Sequence, residues 1–321
     1  MIYITGATGF IGERLARRLI ARGDKVRCLV RSPLRGEKLQ QLGAELVVGD
    51  VTDVQMHRAG LRDAALAYHL AALYDIGVVD VAALRQTNIE GTRAFLTAIA
   101  EAHTPRAVYV SSTAALGPTD RGDREPRDAY DGPYPSKYHY TKAEAHKLAR
   151  AAQQRGLPLI IACPAVVYGP GDSGPGGRFI NDILRRRLPG LTTRPARLSY
   201  VFVDDVVDGL IAAGERGAAG ETYLLTGEGA SVNEFADKVA RLGGTRAPRL
   251  RFPAALVSLT GALLDAVARA TGLRFPITRE TVQVGSINEW LHTHERATRD
   301  LGYSPRPLDQ GLPETIAALA R

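Results

Sequence analysis

MIYITGATGFIGERLARRLI, residues 1 to 20, decides the fold. Met1 to Ile4 is a short apolar run with two isoleucines and a tyrosine, the composition of a buried strand. Gly6-Ala7-Thr8-Gly9-Phe10-Ile11-Gly12 follows at once. Glu13 to Ile20 comes next, with Leu15, Leu19 and Ile20 on one helical face. The glycines therefore lie between a strand and a helix. Such a turn has to be sharp and has to let a ligand approach the backbone, which side chains would prevent. The helix behind it offers unpaired N–H groups and the positive end of its dipole, a setting that receives a pyrophosphate. The stretch predicts dinucleotide binding, with Gly6, Gly9 and Gly12 forming the turn.

The rest of the first half reads as further strand–helix units, so the fold expected is α/β, a doubly wound parallel sheet. Lys25 to Val30 reads as the second strand and ends at Arg31-Ser32, about twenty residues past the glycines, where an acidic residue would bind a ribose 2′-hydroxyl. A carboxylate there would repel a 2′-phosphate, whereas the Arg31 guanidinium can pair with one, which favours NADP(H) over NAD(H). A solvated loop arginine is the competing reading. Glu45 to Val48 gives a third strand leading into Gly49-Asp50-Val51-Thr52-Asp53. Asp50 is placed to accept the adenine amino group; Asp53 could equally be a helix cap. Ala65 to Ala72 reads as a fourth strand running into the small residues Ala71 and Ala72 beside the cofactor. His69 on this strand has no acid or nucleophile next to it and reads as a packed core histidine.

Thr87 to Thr92 opens a helix that continues through Phe95 and Ile99. Asn88 sits awkwardly in it, because its amide competes for backbone hydrogen bonds. Ala107 to Val110 is a fifth strand ending in Ser111-Ser112-Thr113, hydroxyls at the carboxyl end of a parallel strand. Downstream, Tyr138 and Lys142 are four apart in a helical run, hence on one face, and no other tyrosine in the chain has a lysine four residues on. A phenol titrates near 10 unperturbed; an ammonium beside it and an oxidised nicotinamide would pull that down. Tyr138 could then exchange a proton with a carbonyl oxygen while Ser112 supplies a second hydrogen bond to it, and Lys142 could hold the nicotinamide ribose. Which of Ser111, Ser112 and Thr113 does this is open in the sequence.

Taken together, TGATGFIG (5–12), GDVTD (49–53), HLAA (69–72), TNIEGT (87–92), VSSTA (110–114), YHYTK (138–142), PAVVYGPGD (164–172) and YVFVDDVVDG (200–209) resemble the extended short-chain dehydrogenases/reductases. The motifs cover residues 1 to about 230, and the chain looks most like the branch of dihydroflavonol-reductase-like and 3β-hydroxysteroid-dehydrogenase-like proteins. The resemblance implies a catalytic tetrad of Asn88, Ser112, Tyr138 and Lys142, with Asn88 holding a water that links Lys142 to solvent. It implies that Gly6, Gly9, Phe10 and Ile11 line the pyrophosphate, Arg31 the 2′-phosphate, Asp50 and Val51 the adenine, and Pro164 and Val167 the nicotinamide carboxamide. It also implies a homodimer through helices 86–103 and 138–155. Two departures narrow the reaction. Cys163 stands where many sugar-nucleotide members carry arginine, and Thr113-Ala114 replaces the Asp-Glu pair of the dehydratases.

With 321 residues there is room for two domains: 1–170 for the nucleotide, with returns near 196–228, and 171–321 mostly as a smaller mixed α/β lobe for a small-molecule substrate. A composition of 45% apolar and 23% charged residues is that of a globular chain. The net charge of +7 is spread through 41 basic and 34 acidic residues without a like-charge block, so no nucleic-acid partner is expected. Cys28 and Cys163 fall in apolar strand-like runs, and Met1 leads straight into a strand; both suit a cytoplasmic protein without a leader. No metal-ligand cluster is evident.

Glu221 to Thr226 and Tyr200 to Asp205 read as strands returning to the main sheet or its edge, and Gly169 to Gly177 as a substrate-covering loop. AALVSLTGALLDAVARAT, inside Pro253–Gly272, reads as an apolar helix packed in the core of the small lobe or in a lobe-to-lobe contact, with an apolar substrate wall or loose membrane contact as the alternative; it is too short and too interrupted to span a bilayer. The expected function is an NADP(H)-preferring oxidoreductase acting on a ketone or secondary alcohol of an apolar or cyclic substrate. An NAD-retaining nucleotide-sugar 4-epimerase is the second reading. A non-catalytic NADP sensor is the third, and the Tyr138–Lys142 pair counts against it.

Overall fold

The computed structural model describes residues 1–77, 80–120, 124–273, 275, 278–286 and 289–319. Strand β1 (Ile2–Thr5) is followed by α1 (Phe10–Ala21), β2 (Val26–Val30), α2 (Pro33–Gln41), β3 (Glu45–Val48), α3 (Val54–Leu61) and β4 (Leu66–His69). Next come α4 (Val81–Arg85), a π-helical turn at Gln86–Glu90 and α5 (Gly91–Glu101). Then β5 (Ala107–Val110), α6 (Lys137–Gln154) and β6 (Leu159–Pro164) complete the nucleotide half. With β10 (Thr222–Leu225) added at one edge, seven strands pair in the order β10-β6-β5-β4-β1-β2-β3, every pair parallel. This is the doubly wound parallel sheet that the alternating strand and helix pattern predicts.

Alternation along each strand explains why both faces carry helices. Ile4, Cys28, Val108 and Ile160 point to the side covered by α1 and α8 (Val203–Arg216), and Tyr3, Leu29, Tyr109 and Ile161 to the side covered by α3, α5 and α6. Both cysteines are buried, as their apolar surroundings predict. His69 is buried too, its ring stacked on Phe95 at 4.6 Å and bonded to Thr5 through Nδ1 at 2.8 Å; it is the packed histidine expected. Asp53 caps α3, accepting from the Gln55 N–H at 2.8 Å.

The second half begins with β7 (Val166–Tyr168), α7 (Pro175–Leu184), β8 (Gly190–Thr192) and β9 (Arg197–Phe202). It continues with α8 (Val203–Arg216), β10 (Thr222–Leu225), β11 (Gly229–Ser231), α9 (Val232–Leu242) and β12 (Leu250–Phe252). It closes with α10 (Ala254–Thr271), α11 (Arg279–Ser286), β13 (Glu289–Trp290), α12 (Glu295–Leu301) and α13 (Leu308–Leu319). Only β10 returns to the main sheet. The expectation for Tyr200 to Asp205 fails: β9 pairs instead with β7 and β13 in parallel and β11 antiparallel, and the chain is already helical from Val203. Its Tyr200 and Phe202 are buried against Phe235 and Tyr168, a third core that holds β9 away from the main sheet.

Two other readings need correction. The glycine–proline stretch ends as a loop at Gly174, because Pro175 starts α7 and its missing N–H costs nothing in a first turn. The glycines wrap Asp172: a Cβ on Gly177 would lie 1.9 Å from the Asp172 carbonyl oxygen, and one on Gly174 or Gly176 would lie 3.0 Å from its carboxylate. α10 is not packed in a core. Only Gly261, Asp265 and Ala268 are buried, while Leu256, Leu259, Leu263 and Val267 face outward. Among the described residues it is the one helix long and apolar enough to cross a membrane by length and composition.

Candidate active site

The strand order reverses between β1 and β4, and a doubly wound sheet opens its ligand crevice there. Gly6 leaves β1 at φ +73°, and a Cβ on it would sit 2.6 Å from the Ala71 nitrogen, just past β4. A Cβ on Gly12 would lie 2.1 Å from the Gly6 carbonyl oxygen. Both positions thus require glycine, one for its dihedral and one for the closeness of α1 to the loop. Gly9 stands at the N-cap of α1 with no side chain bonded to the first amides of the helix, which leaves that N-terminus to a ligand anion. The residues fit a dinucleotide pyrophosphate on this ground.

A cavity of about 480 Å³ runs from this loop across the sheet ends. Gly6, Gly9, Phe10, Ile11 and Gly12 line it at one end, and Ser112, Tyr138, Lys142, Pro164 and Val167 further along. Arg31, Asp50, Val51, Ala71 and Asn88 are not among its lining. Arg31 is exposed at the end of β2, close enough to Asp50 to help hold that carboxyl below the usual carboxylate range. The larger cause is the Asp50–Thr52 pair of hydrogen bonds, from the Thr52 N–H at 2.9 Å and its hydroxyl at 2.7 Å. Val51 is buried against Gly91, where a Cβ would come within 2.9 Å of its Cγ1.

Ser136 caps α6 by accepting from the His139 N–H, which puts Tyr138 in the first turn and Lys142 one turn on. The Lys142 side chain is buried, its Nζ donating to the Val110 carbonyl at 3.1 Å and lying 5.3 Å from the Tyr109 ring centre. Burial pushes its ammonium down to about 8. Burial pushes the Tyr138 phenol the other way, up to about 12, against a hydrogen bond from Ser112. Burial is thus the larger cause at Tyr138, and the Lys142 ammonium is engaged by the Val110 carbonyl. Of the three candidate hydroxyls, Ser112 is the one close enough to Tyr138 to draw its value down. Ser111 points away, to His146 Nδ1 at 2.8 Å.

Asn88 sits in the π-helical turn, a local unwinding that often marks functional positions. Its amide oxygen accepts from the Leu73 N–H at 2.7 Å, and its nitrogen donates to the Leu73 carbonyl and the Thr141 hydroxyl, both at 3.0 Å. The side chain is thus used in bracing the segment before Tyr74 and the residue before Lys142.

Several wall residues had no signal in the sequence. Tyr74, Ile76, Leu198, Val284 and Trp290 line the cavity beyond Tyr138, from segments up to more than 200 positions apart, and Asp172 is the carboxylate among them. The Tyr74 ring tilts over Tyr138, and Trp290 meets the His139 ring edge-on at 5.2 Å. Glu280 of α11 accepts from the Gly77 and Lys137 N–H groups, both at 3.2 Å, and so ties this wall to the start of α6. Among the described residues lining it, Lys142 is the only lysine or arginine.

A parallel sheet with a side-chain-free helix N-terminus at its switch point, opening on a tyrosine–lysine helix, defines a nicotinamide-dinucleotide enzyme of the Rossmann class. The model of the NAD dependent epimerase/dehydratase family matches residues 2–226. The chain belongs to that family, within the extended short-chain dehydrogenases/reductases. It is 30% identical to a Synechocystis sp. protein named "Putative dihydroflavonol 4-reductase", over 98% of this chain and 93% of the relative. It is 32% identical to sterol demethylase protein B of Methylococcus capsulatus, over 83% and 81% of the two chains. The solved structure of gox2253 superposes with a TM-score of 0.83 at 31% identity, covering 100% of this chain and 98% of the other.

Proposed function

We propose that the protein is an NADP(H)-preferring oxidoreductase that reduces a ketone, or oxidises the corresponding secondary alcohol, on an apolar or cyclic substrate. The observation that carries this reading is the substrate side of the cavity: Tyr74, Ile76, Leu198, Val284 and Trp290 with one carboxylate and no arginine among the described residues lining it. A nucleotide-sugar diphosphate carries negative charge that such a wall would leave unpaired in a desolvated site. A fused-ring or long-chain ketone buries against it with gain. The names of two relatives, one referring to a sterol and one to a flavonol, point the same way.

The nicotinamide, bound against Pro164 and Val167, would supply or accept the hydride. Tyr138, held protonated by burial, donates its proton to the carbonyl oxygen in reduction. Ser112 holds that oxygen with a second hydrogen bond and keeps the phenol in place. Lys142 binds the ribose and stabilises the phenolate left behind, while Gly6, Gly9, Phe10 and Ile11 seat the pyrophosphate. Asp50 and Val51 frame the adenine beside Ala71, and Arg31 takes the 2′-phosphate. The protein acts as a homodimer through α5 and α6.

Purified enzyme mixed with NADPH and a panel of cyclic and long-chain ketones tests the reading. Loss of reduced-nicotinamide absorbance with a ketone supports it. Interconversion of a nucleotide sugar with no net absorbance change would replace it with the epimerase reading.

A further inference from the structure

α10 is built inside out. Leu256, Leu259, Leu263 and Val267, spaced three and four apart, form one stripe along the helix and are 52%, 62%, 63% and 44% exposed. The only polar group on the stripe between them, Thr260, donates its hydroxyl to the Leu256 carbonyl at 3.0 Å. The helix turns its one carboxylate inward: Asp265 is buried and accepts from the Arg279 N–H at 3.2 Å. Gly261 is pressed on the same side, where a Cβ would come within 2.7 Å of the Thr278 carbonyl carbon. The side against the protein is thus small and polar, and the side against solvent is leucine. A globular chain does not leave such a stripe to water without a use for it.

The surroundings say what the stripe meets. Residues 244–279 hold six arginines, at 246, 249, 251, 269, 274 and 279, against the single buried Asp265. Arg246, Arg249, Arg251, Arg269 and Arg279 are exposed; Arg249 and Arg251 flank Leu250, itself 58% exposed, just ahead of the helix. Arg251 pairs with Asp237 at 4.0 Å, while Arg186 reaches Thr245 with its Nε at 3.0 Å and extends the basic border. A two-fold pairing of two copies through this stripe would press arginine onto arginine. Leucines bordered by arginines match a layer that is apolar beneath and anionic on top.

We infer that α10 lies flat on an anionic phospholipid surface, with its leucine stripe in the acyl boundary and the flanking arginines among the headgroups. The buried Gly261–Asp265 side anchors the helix to α11, so it rests on the layer rather than crossing it. α11 sends Val284 into the cavity wall, which sets the catalytic cleft beside the docking face. Docking stands on the helix alone. Its use, taking an apolar substrate straight from the lipid, rests on the function proposed above.

Full-length protein is sedimented with vesicles of phosphatidylcholine, and with vesicles of equimolar phosphatidylglycerol and phosphatidylcholine. Binding is expected to the mixed vesicles, weaker by about tenfold to phosphatidylcholine alone, and reduced in about 1 M salt. Leu259→Glu combined with Leu263→Glu is expected to stay in the supernatant with an unchanged melting temperature and circular dichroism. Arg249→Glu combined with Arg269→Glu is expected to lose the preference for the anionic lipid. Wild type left in the supernatant with both vesicles overturns the inference. So does leucine-variant protein that pellets as wild type does, or a wild-type dimer that the leucine variant converts to monomer. None of these measurements depends on turnover, so a failure here leaves the proposed chemistry untouched, and the reverse.

Discussion

The rings of Tyr74 and Tyr138 lie 4.7 Å apart, centre to centre, inclined at 55°. Tyr74 comes from the segment after β4 and Tyr138 from the first turn of α6, and Asn88 holds the backbone next to the first in place. The contact covers one side of the phenol whose ionisation governs the chemistry. Tyr74→Ala is expected to hydrate Tyr138 and draw its value from about 12 toward the ordinary one of 10, moving the alkaline limb of the reduction profile to lower pH. Tyr74→Phe should leave the profile where it is. A pH series of kcat/KM for the three proteins checks this.

Tyr138→Phe removes the proton donor and preserves the packing. Turnover is expected to fall by about 10² to 10⁴, with cofactor affinity by fluorescence titration little changed. The direction of reaction carries its own pH signature. Reduction needs the protonated phenol and stays flat through neutrality, whereas alcohol oxidation needs phenolate and climbs with pH from neutrality up toward about 12. A reduction rate that rises with pH would contradict this assignment.

Arg31→Ala tests the cofactor preference. Loss of the 2′-phosphate partner is expected to raise the Kd for NADPH about tenfold or more and to leave NADH nearly unaffected. Equal effects on both would remove Arg31 from the adenosine end.

Gly6→Ala and Gly156→Ala separate strain from crowding. Both glycines have positive φ, +73° and +86°, but only Gly6 has neighbours inside the space of a Cβ. Gly156→Ala is expected to cost about 1 kcal/mol. Gly6→Ala should cost several times that or displace the chain after β4, with loss of dinucleotide binding. Thermal unfolding and a binding titration read the two separately.

Buried histidines set the acid limit of stability. Burial pushes His139 and His146 down to about 4, and His69 well below the ordinary 6.5. Between pH 6.5 and 4 the unfolded chain binds protons that the folded one refuses, so stability is full above the upper value and drains away as pH falls through that window. Each of the first two contributes up to about 3 kcal/mol to the loss. Melting temperature measured from pH 7 to 4.5 should fall, and less steeply in His146→Gln.

What the sequence revealed was local. The glycine turn, the alternating strands and the Tyr138–Lys142 spacing each lie within a dozen residues, and periodicity and backbone chemistry show them without the rest of the fold. The cavity walls were not legible, because Tyr74, Leu198, Val284 and Trp290 meet only through tertiary packing, with no pattern linking them. The direction of the α10 stripe was hidden for a different reason: an apolar helix has the same composition whether its leucines face a core or a surface. Burial of the Tyr138 phenol is equally hidden, because charge partners can be counted in a sequence while burial cannot.

The π-helical turn at Gln86–Glu90 puts one more residue into its loop than an α-helical turn would hold. One residue corresponds to a rotation of about 100° about the helix axis. α4 and α5 are therefore out of phase, and a single-residue deletion between them would spin Asn88 off Leu73 and Thr141 while leaving the helix intact. In this chain the spacing of side chains along a rod, as much as their identity, acts as the gauge that sets the cleft.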